Sequence, residues 1–463
     1  MTEHNRFEEK ILSLLQARSY PALQKYLETL NPADIAECLD DLLDAGALPE
    51  EDLPRVFRLL PKELASDTFS EMDASLQETL IDAFSDGELS QVLGDMFLDD
   101  TVDVIEEMPA NLVKRILKNI DPETRQAVNQ VLNYPEDSAG SIMTTEFVDL
   151  KPGMTVREAF DHIRRTGVDK ETIYLCYIIG PTRKLLGLVS VKDLLLADSG
   201  AVLRDMMETN IISVSTLDDR EDVARLFTRY DFTALPVVDR ENRLVGIVTV
   251  DDAIDVLQEE TTEDMEKMAA LTPSEHPYLK ASAPEIWRQR IPWLLILMVS
   301  ATFTGMIISS FETALARCAA LIAFIPMLMD TGGNSGAQAS VTVIRGMSLG
   351  DIEFSDLLRV VWKEVRVSLL CGLSLAAVAF GKILLVDGLL LHSEGITPQV
   401  ALVVCLTLVC TVFFAKLVGC TLPLFAKKLG FDPAVMASPF ITTIVDALSL
   451  LIYFQIASGL LGL

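Results

Sequence analysis

The sequence has few histidines, no CxxC pair and almost no net charge after residue 290. Its 463 residues include four scattered histidines and seven cysteines without a CxxC pair. This pattern excludes a disulfide framework and a Cys/His zinc site, and predicts small buried cysteines in a reducing compartment. No GxSxG or P-loop string is present, so we expect no enzyme activity. The N-terminal residues lack a basic segment followed by an apolar run, so no signal peptide is expected.

Charge is distributed very unevenly along the chain. The 67 acidic and 38 basic residues give a formal net charge of −29, yet half of all residues are apolar. Residues 1–290 hold 57 acidic and 29 basic side chains, whereas residues 291–463 hold 10 and 9. A body this acidic cannot neutralise phosphates, which excludes nucleic acid as a partner and favours cations. The nearly uncharged remainder predicts a segment embedded in a lipid bilayer.

Five apolar stretches predict a transmembrane domain of five helices within residues 284–463. The first, residues 291–311, has 21 residues without a charge, enough for a helix to cross the hydrocarbon core. The others are residues 318–344, 365–386, 400–425 and 434–463. Basic residues precede the first span and follow the second and fourth, so the positive-inside rule places the N-terminus in the cytoplasm and the C-terminus outside.

Two of these spans contain polar residues at membrane depth. Pro326 and three glycines among residues 330–338 predict a broken helix, which is tolerated only beside a cavity or inside protein. The last span contains Ser438-Pro439 and Asp446. An intramembrane carboxylate is typical of an ion path. Alternatively, Asp446 bonds to a neighbouring helix or pairs with Lys416.

The polar groups of these spans also indicate the kind of ion. They are hydroxyls, an amide, backbone carbonyls and a carboxylate, without a His or Cys pair for a soft metal. Oxygen-only sites suit Mg²⁺, Ca²⁺ or Mn²⁺, and one carboxylate per chain suits Mg²⁺, which keeps several waters. If two chains meet around one pore, two copies of Asp446 could hold a hydrated ion.

Residues 138–253 contain an internal repeat. Residues 185–193 match residues 244–252 at an offset of 59, and the first copy has five extra residues at about 168–172. Each copy predicts an α/β unit of strand, helix, two strands and helix. The G-[LI]-V-[ST]-x-x-D strings resemble a tandem CBS pair, which implies an adenine nucleotide such as ATP in the cleft. Asp193 would then contact the ribose and Phe232 the base; alternatively, Asp193 and Asp252 only cap helices.

The regions on either side of the repeat are expected to be helical. Caps and prolines recur every dozen or so residues in 1–132, which predicts an all-α superhelical N-terminal domain. Residues 254–272 predict an acidic connecting helix. Its carboxylates repel one another at helical spacing, so the helix is either a solvated connector or a gate whose docking a divalent cation changes.

Together these features resemble the MgtE family of magnesium channels over essentially the whole chain. The strings carrying the resemblance are P-x-L-x-x-x-G-G-N-x-G-x-Q from Pro326 to Gln338 and S-P-x-x-x-x-x-x-D from Ser438 to Asp446. The resemblance implies a homodimer in the plasma membrane, a Mg²⁺ pore between the second and fifth spans, and a connecting plug helix. Cytosolic Mg²⁺ bound to the soluble domains would close the pore.

The resemblance also assigns residues to roles. For the pore it implies Asp446, Thr442, Asn334 and Ser438. For regulatory Mg²⁺ it implies Glu221, Asp231, Asp252, Asp255, Glu260, Glu263 and Asp264, with Asp99 and Asp103 in the N-terminal domain. Asp330 and Lys416 depart from the family pattern. Two other functions remain open, an ion-coupled divalent-cation exporter and a membrane-anchored nucleotide sensor.

Overall fold

The computed structural model describes residues 3–274, 278–390, 395–436 and 438–462. The chain forms two compact units, Met1–Gln258 and Glu259–Leu463. The first contains a helical N-terminal domain and two α/β repeats, and the second contains long apolar helices. The predicted multidomain organisation, with a helical domain, two α/β repeats and a region of long apolar helices, is confirmed.

Short stacked helices build the N-terminal domain. Several begin at the predicted caps: Ser85 and Glu88 form a capping box, and the Asp121 carboxylate accepts two backbone N–H groups. One continuous core includes the clustered rings of Phe57, Phe69 and Phe84. The helices are α1 Glu3–Gln16, α2 Tyr20–Leu27, α3 Pro32–Asp44, α4 Leu53–Phe57, α5 Lys62–Ser70, α6 Ala74–Ala83, α7 Asp86–Leu93, α8 Leu98–Glu107, α9 Ala110–Asn119 and α10 Pro122–Val131.

Each sequence repeat folds into a three-stranded sheet with helices. In both sheets the first strand is parallel to the second, and the second is antiparallel to the third. The copies share an apolar core containing Phe147, Tyr177 and Ile247. The elements are β1 Phe147–Leu150, α11 Val156–Thr166, β2 Thr172–Ile179, β3 Leu185–Ser190, α12 Val191–Leu196 and α13 Leu203–Met206, then β4 Val214–Ser215, α14 Arg220–Tyr230, β5 Ala234–Val238 and β6 Leu244–Thr249.

The acidic connecting helix is α15, Val250–Met268. It starts directly after the last strand of the second repeat, because Thr249 and Asp252 form a local cap. The hydroxyl of Thr249 donates to the Asp252 carboxylate at 2.6 Å. The boundary between the two units falls within this helix, after Gln258.

Five long α-helices and one short one make up the described α-helical part of the second unit beyond α15. They are α16 Ala283–Ser310, α17 Glu312–Arg317, α18 Ile325–Ser348, α19 Leu357–Lys382, α20 Pro398–Lys428 and α21 Ser438–Leu461, with a π-helical extension of α19 at Ile383–Leu390. Within the described residues, four stretches are long and apolar enough to cross a membrane: Ala283–Ser310, Phe354–Leu390, Pro398–Lys428 and Ala434–Leu461. The predicted second span, α18, is not among them, because its polar residues from Asp330 to Gln338 lower its hydropathy.

The prediction that the glycines break the second span was wrong. α18 is a continuous helix of 24 residues, with Pro326 in its first turn and Gly332, Gly333 and Gly336 inside it. A proline in the first turn removes an N–H group that has no helical acceptor, so it does not interrupt the helix. Glycine weakens a helix by only about 1 kcal/mol, and here neighbouring helices occupy the space that larger side chains would fill.

Candidate ion pathway and acidic sites

The glycines of α18 let α20 and α21 approach its backbone closely. A Cβ on Gly419 of α20 would lie only 2.2 Å from the carbonyl oxygen of Gly336. A Cβ on Gly336 would lie 2.9 Å from Cγ2 of Ile441 on α21. Small residues allow this kind of close packing between membrane helices. The close approach brings the middle of α18 against the first half of α21.

This packing places Gly333 beside two of the predicted pore residues. A Cβ on Gly333 would lie 3.0 Å from Cγ2 of Thr442 and 3.7 Å from Oδ1 of Asp446. Asp446 is half-buried. Within α21, the Thr442 carbonyl serves as the helical acceptor for the Asp446 amide, so only its second lone pair remains for an ion. The side chain of Ser438, the fourth predicted pore residue, lies outside what the structure describes.

Asn334 extends this polar surface along α18. Its side-chain amide donates to Oδ1 of Asp330 at 3.1 Å, and Asp330 is in turn a charged neighbour of Asp446. Asn334 also lines an open groove of about 570 Å³, together with Ala337, Gln338, Val341 and Thr342. The structure therefore collects two carboxylates, an amide and a hydroxyl-bearing helix turn, all of them oxygen-rich ligand types that suit a hydrated divalent cation.

Lys416 is paired with a residue other than Asp446. Its Nζ lies 3.6 Å from Oε2 of Glu364 on α19, and both side chains are largely buried. The alternative in which Lys416 neutralises Asp446 is therefore not the observed arrangement. Sequence reasoning singled out Lys416 but not its partner, because the contact joins two helices that are distant in sequence.

A second group of predicted residues meets within the first unit. Asp99 and Asp103 of α8 lie close enough to Asp252 of α15 to interact electrostatically with it. Asp99 is 8% exposed. Burial, and next the charge of Asp252, raise its pKa well above the usual range. Desolvation followed by Asp252 likewise raises the pKa of Asp103, although that side chain remains accessible to solvent.

Two further acids belong to this group and were missed by sequence reasoning. Burial and then Asp252 raise the pKa of Asp100 to about 7. Burial and then Asp251 raise the pKa of Glu171 to about 8. Oε2 of Glu171 is buried and has no hydrogen-bond partner in the described part of the chain. Glu171 comes from the five extra residues of the first repeat, and that insertion was the one available sequence signal.

The remaining predicted regulatory acids of the first unit lie apart from this group or at its edge. Glu221 and Asp231 stand at opposite ends of α14, where Glu221 pairs with Arg225 and Asp231 forms the left-handed C-cap. Asp255 is exposed on α15, and its pKa is raised by partial burial and by Asp251. Glu71, which the sequence did not indicate, is its electrostatic neighbour.

The end of α15 that belongs to the second unit contacts the end of α18 and the segment before α21. The hydroxyl of Ser348 donates to Oδ2 of Asp264 at 3.1 Å. Nζ of Lys267 lies 2.6 Å from Oε1 of Glu263 and 2.7 Å from Oδ2 of Asp432. Burial alone would lower the pKa of Lys267, but the two carboxylates raise it above its usual value. Glu260 lies one turn before Asp264 on the same helix.

These carboxylates do not form a finished metal cage. Among the described residues, no three Asp, Glu, His or Cys side chains converge closely enough to hold a metal ion. An ion bound at the group around Asp252 would therefore retain most of its waters or draw the side chains together. The raised pKa values nevertheless mark a site where negative charge is costly without a cation or proton.

The predicted nucleotide residues take part in local contacts. The Ser190 hydroxyl donates to Asp193 Oδ2 at 2.5 Å and accepts the Asp193 N–H, which caps α12. This arrangement repeats the Thr249–Asp252 cap of the second copy. Phe232 stacks on Tyr230 with ring centroids 5.4 Å apart. The capping role of both aspartates is thus observed, and it leaves part of each carboxylate surface for a ligand.

Family models match three parts of the chain. A model described as a divalent cation transporter, MgtE, matches residues 325–456, and one described as the MgtE intracellular N domain matches residues 30–137. The CBS domain model matches residues 139–200 and 203–259. Together these matches cover most of the chain.

Whole proteins and solved structures show the same similarity. A magnesium transporter MgtE from Thermus thermophilus is 38% identical over 96% of this chain and 97% of its own length. A protein of that name from Bacillus subtilis is 33% identical over 99% of both chains. A crystal structure of the cytosolic domain of the Mg²⁺ channel MgtE in complex with ATP is 37% identical, with a TM-score of 0.50, and covers 54% of this chain and 99% of its own.

Proposed function

The chain belongs to the MgtE family of divalent cation transporters, and from that premise we propose that it is a channel for Mg²⁺ influx. As expected from the sequence, the family is one of transporters and not of enzymes. The observation that carries the proposal is the position of Gly333 in the second unit, where an added Cβ would lie 3.0 Å from Cγ2 of Thr442 and 3.7 Å from Oδ1 of Asp446. It places one carboxylate against a helix backbone that has no side chain to block it.

The ligand types at this point favour Mg²⁺ over softer metals. Asp446, Asn334 and the Thr442 carbonyl offer oxygen atoms, and Mg²⁺ binds through few carboxylates while keeping several waters. The open groove beside Asn334 leaves one face of α18 for a second copy of the chain. In a homodimer, two Asp446 carboxylates would face one hydrated ion.

Cytosolic Mg²⁺ closes this channel through the acidic groups of the first unit and of α15. Without cations, Asp99, Asp100 and Asp103 are like-charged neighbours of Asp252, and burial followed by the charge of Asp252 raises their pKa values. Bound Mg²⁺ removes this repulsion and stabilises the compact arrangement. The contacts of Asp264 with Ser348 and of Lys267 with Asp432 support a role for α15 in transmitting that change to the long helices.

The protein spans the cell membrane, with its first unit and α15 in the cytoplasm. Lys427 and Lys428 end α20, and Arg345 lies in the last turn of α18. These basic residues belong to the connections that the positive-inside rule assigns to the cytoplasmic side. The last helix then leaves the C-terminus outside. The CBS pair binds ATP, as the complex of the related cytosolic domain with ATP suggests. Asp193 and Phe232 are the residues that we expect to contact it.

Flux through purified protein in liposomes tests this function. Wild-type protein is expected to admit Mg²⁺ when a membrane potential drives it. Millimolar Mg²⁺ on the side of the membrane that carries the first unit is expected to inhibit this flux. The D446N variant should lose most of this flux, whereas D351N, at an exposed loop acid, should retain it. Flux in D446N equal to that of the wild type would reject the pore assignment. Dependence on a proton or Na⁺ gradient would instead favour a coupled exporter.

A further inference from the structure

A buried ion pair joins two helices of the membrane unit beside the candidate pathway. Lys416 is 5% exposed, and its Nζ lies 3.6 Å from Oε2 of Glu364. Lys416 lies on α20, which is the most buried of the four apolar stretches. Charged side chains within spans are costly, so they are rare and usually have a function. Neither residue is among the predicted pore or regulatory residues.

The geometry of the pair is poor for stability. A separation of 3.6 Å is longer than a hydrogen bond, and Oε2 of Glu364 is buried without a hydrogen-bond partner in the described residues. Such a pair repays little of its desolvation cost, and apolar residues of similar volume often serve a fold equally well. Stability alone therefore does not explain why this pair is present.

The backbone on either side of Lys416 holds the helix that forms the candidate pathway. A Cβ on Gly336 of α18 would lie 3.2 Å from the carbonyl oxygen of Ala415, the residue before Lys416. Gly419, one turn later, packs directly against the backbone of Gly336, because an added Cβ would lie 2.2 Å from the Gly336 carbonyl oxygen. Gly336 follows Asn334 by two residues and also packs against Val445, the neighbour of Asp446. A continuous series of close contacts thus connects Glu364 to the candidate ion site.

We propose that Lys416 and Glu364 are positioning residues for conduction, and that their attraction fixes α20 and, through Gly336, the spacing between Asn334 and Asp446. The proposal rests on the proposed channel function. Ions do not need to touch the pair. Its effect is on the width of the path, and so on the rate of Mg²⁺ passage and the preference for Mg²⁺ over the larger Ca²⁺.

The test compares double variants, because removing one charge alone leaves the other buried and unpaired and can prevent folding. K416M/E364Q removes both charges at similar side-chain volume, and K416E/E364K exchanges them. The matched control is K382M/D387N, which removes another ion pair of the same unit, 2.7 Å long and away from Gly336 in sequence. For each protein, the thermal midpoint in detergent and the Mg²⁺ and Ca²⁺ flux per folded protein in liposomes are measured.

K416M/E364Q is expected to fold with a midpoint near that of the wild type, but to pass Mg²⁺ about 3- to 10-fold more slowly or with a changed Mg²⁺/Ca²⁺ ratio. The exchanged pair should recover a larger part of the wild-type flux, and the control should match the wild type. Wild-type rate and preference in K416M/E364Q would overturn the proposal. Loss of folding in that variant would also overturn it, because the pair would then be a structural requirement. Absence of flux in the wild type would reject the channel function instead.

Discussion

Lys267 of α15 forms an ion pair with Asp432 in the segment before α21, with 2.7 Å between Nζ and Oδ2. The same ammonium group also contacts Glu263 one turn earlier. Lys267 is therefore a cation built into the acidic helix at the end that touches the membrane unit. It offsets one of the two negative charges of Glu263 and Asp432 there, whereas the acids at the other end of α15 lie among further acids.

This pair predicts how α15 responds to a single substitution. K267M removes an attraction of about 1 kcal/mol that holds the helix end on the membrane unit. The closed state becomes weaker, so the Mg²⁺ concentration that halves the flux should rise about two- to fivefold. Flux at low Mg²⁺ should not change. The measurement is Mg²⁺ flux into liposomes at a series of Mg²⁺ concentrations on the side of the membrane that carries the first unit.

K427M serves as the control, because it removes an exposed positive charge at the end of α20. Its inhibition curve should overlay that of the wild type. An unchanged or lower half-inhibiting concentration in K267M would contradict a role for this pair in holding the closed state.

Glu171 predicts a pH dependence of the first unit. Its pKa is raised to about 8, so the folded state holds a proton there that the unfolded chain releases near pH 4.5. In the absence of divalent cations, stability should therefore be highest at acidic pH, fall as the pH rises from about 4.5 to 8, and level off above that. The raised pKa of Asp100 acts in the same direction.

E171Q removes the cost of a buried negative charge at this position. We expect it to stabilise the first unit at pH 8 by on the order of 1–2 kcal/mol, a value discounted for the partial exposure of the side chain. Thermal unfolding or limited proteolysis of the full chain in a chelator at pH 5.5 and pH 8 would measure the effect. The exposed Glu78 provides E78Q as a control with no expected change. A gain from E171Q that is equal at both pH values would contradict the electrostatic explanation.

Asp193 allows the capping role to be separated from nucleotide binding. D193A removes the carboxylate and should weaken ATP binding about 10- to 100-fold, because a charge-assisted hydrogen bond contributes about 1.5–3 kcal/mol. S190A breaks the same helix cap but keeps the carboxylate. Calorimetric titration of the full-length protein with ATP compares the two. Equal losses in both variants would mean that the cap, and not a ligand contact, explains the effect.

Sequence patterns predicted what local chemistry determines. The repeat at an offset of 59 residues predicted two α/β units. It also predicted equivalent helix caps, because the Ser190–Asp193 and Thr249–Asp252 contacts each form within four residues of the chain. The apolar stretches likewise predicted the long helices. Family motifs assigned Asn334 and Asp446 to one pore, but their neighbourhood depends on how α18 packs against α21, and no short segment encodes that.

The failures concern tertiary contacts. Glu171 joins the acidic group because an insertion in the first repeat reaches α8 and α15, which sequence spacing does not reveal. The partner of Lys416 comes from α19, about fifty residues away in sequence. The glycines of α18 were interpreted as helix breakers because their low propensity is visible in the sequence, whereas the helices that fill the space beside them are not.

That last distinction between a flexible glycine and a close-packed one can be tested at two positions of the membrane unit. At Gly419, an added Cβ would lie 2.2 Å from the carbonyl oxygen of Gly336, so G419A must push α20 and α18 apart. We expect a loss of about 1–3 kcal/mol, with reduced flux because Gly336 adjoins Asn334. At Gly381 of α19, nothing lies within 4 Å of an added Cβ. G381A should therefore leave flux unchanged and keep or raise stability, by up to about 1 kcal/mol, because alanine favours a helix. Thermal midpoints and Mg²⁺ flux of the two variants should differ in this order, and equal effects would show that helix propensity, not packing, governs these glycines.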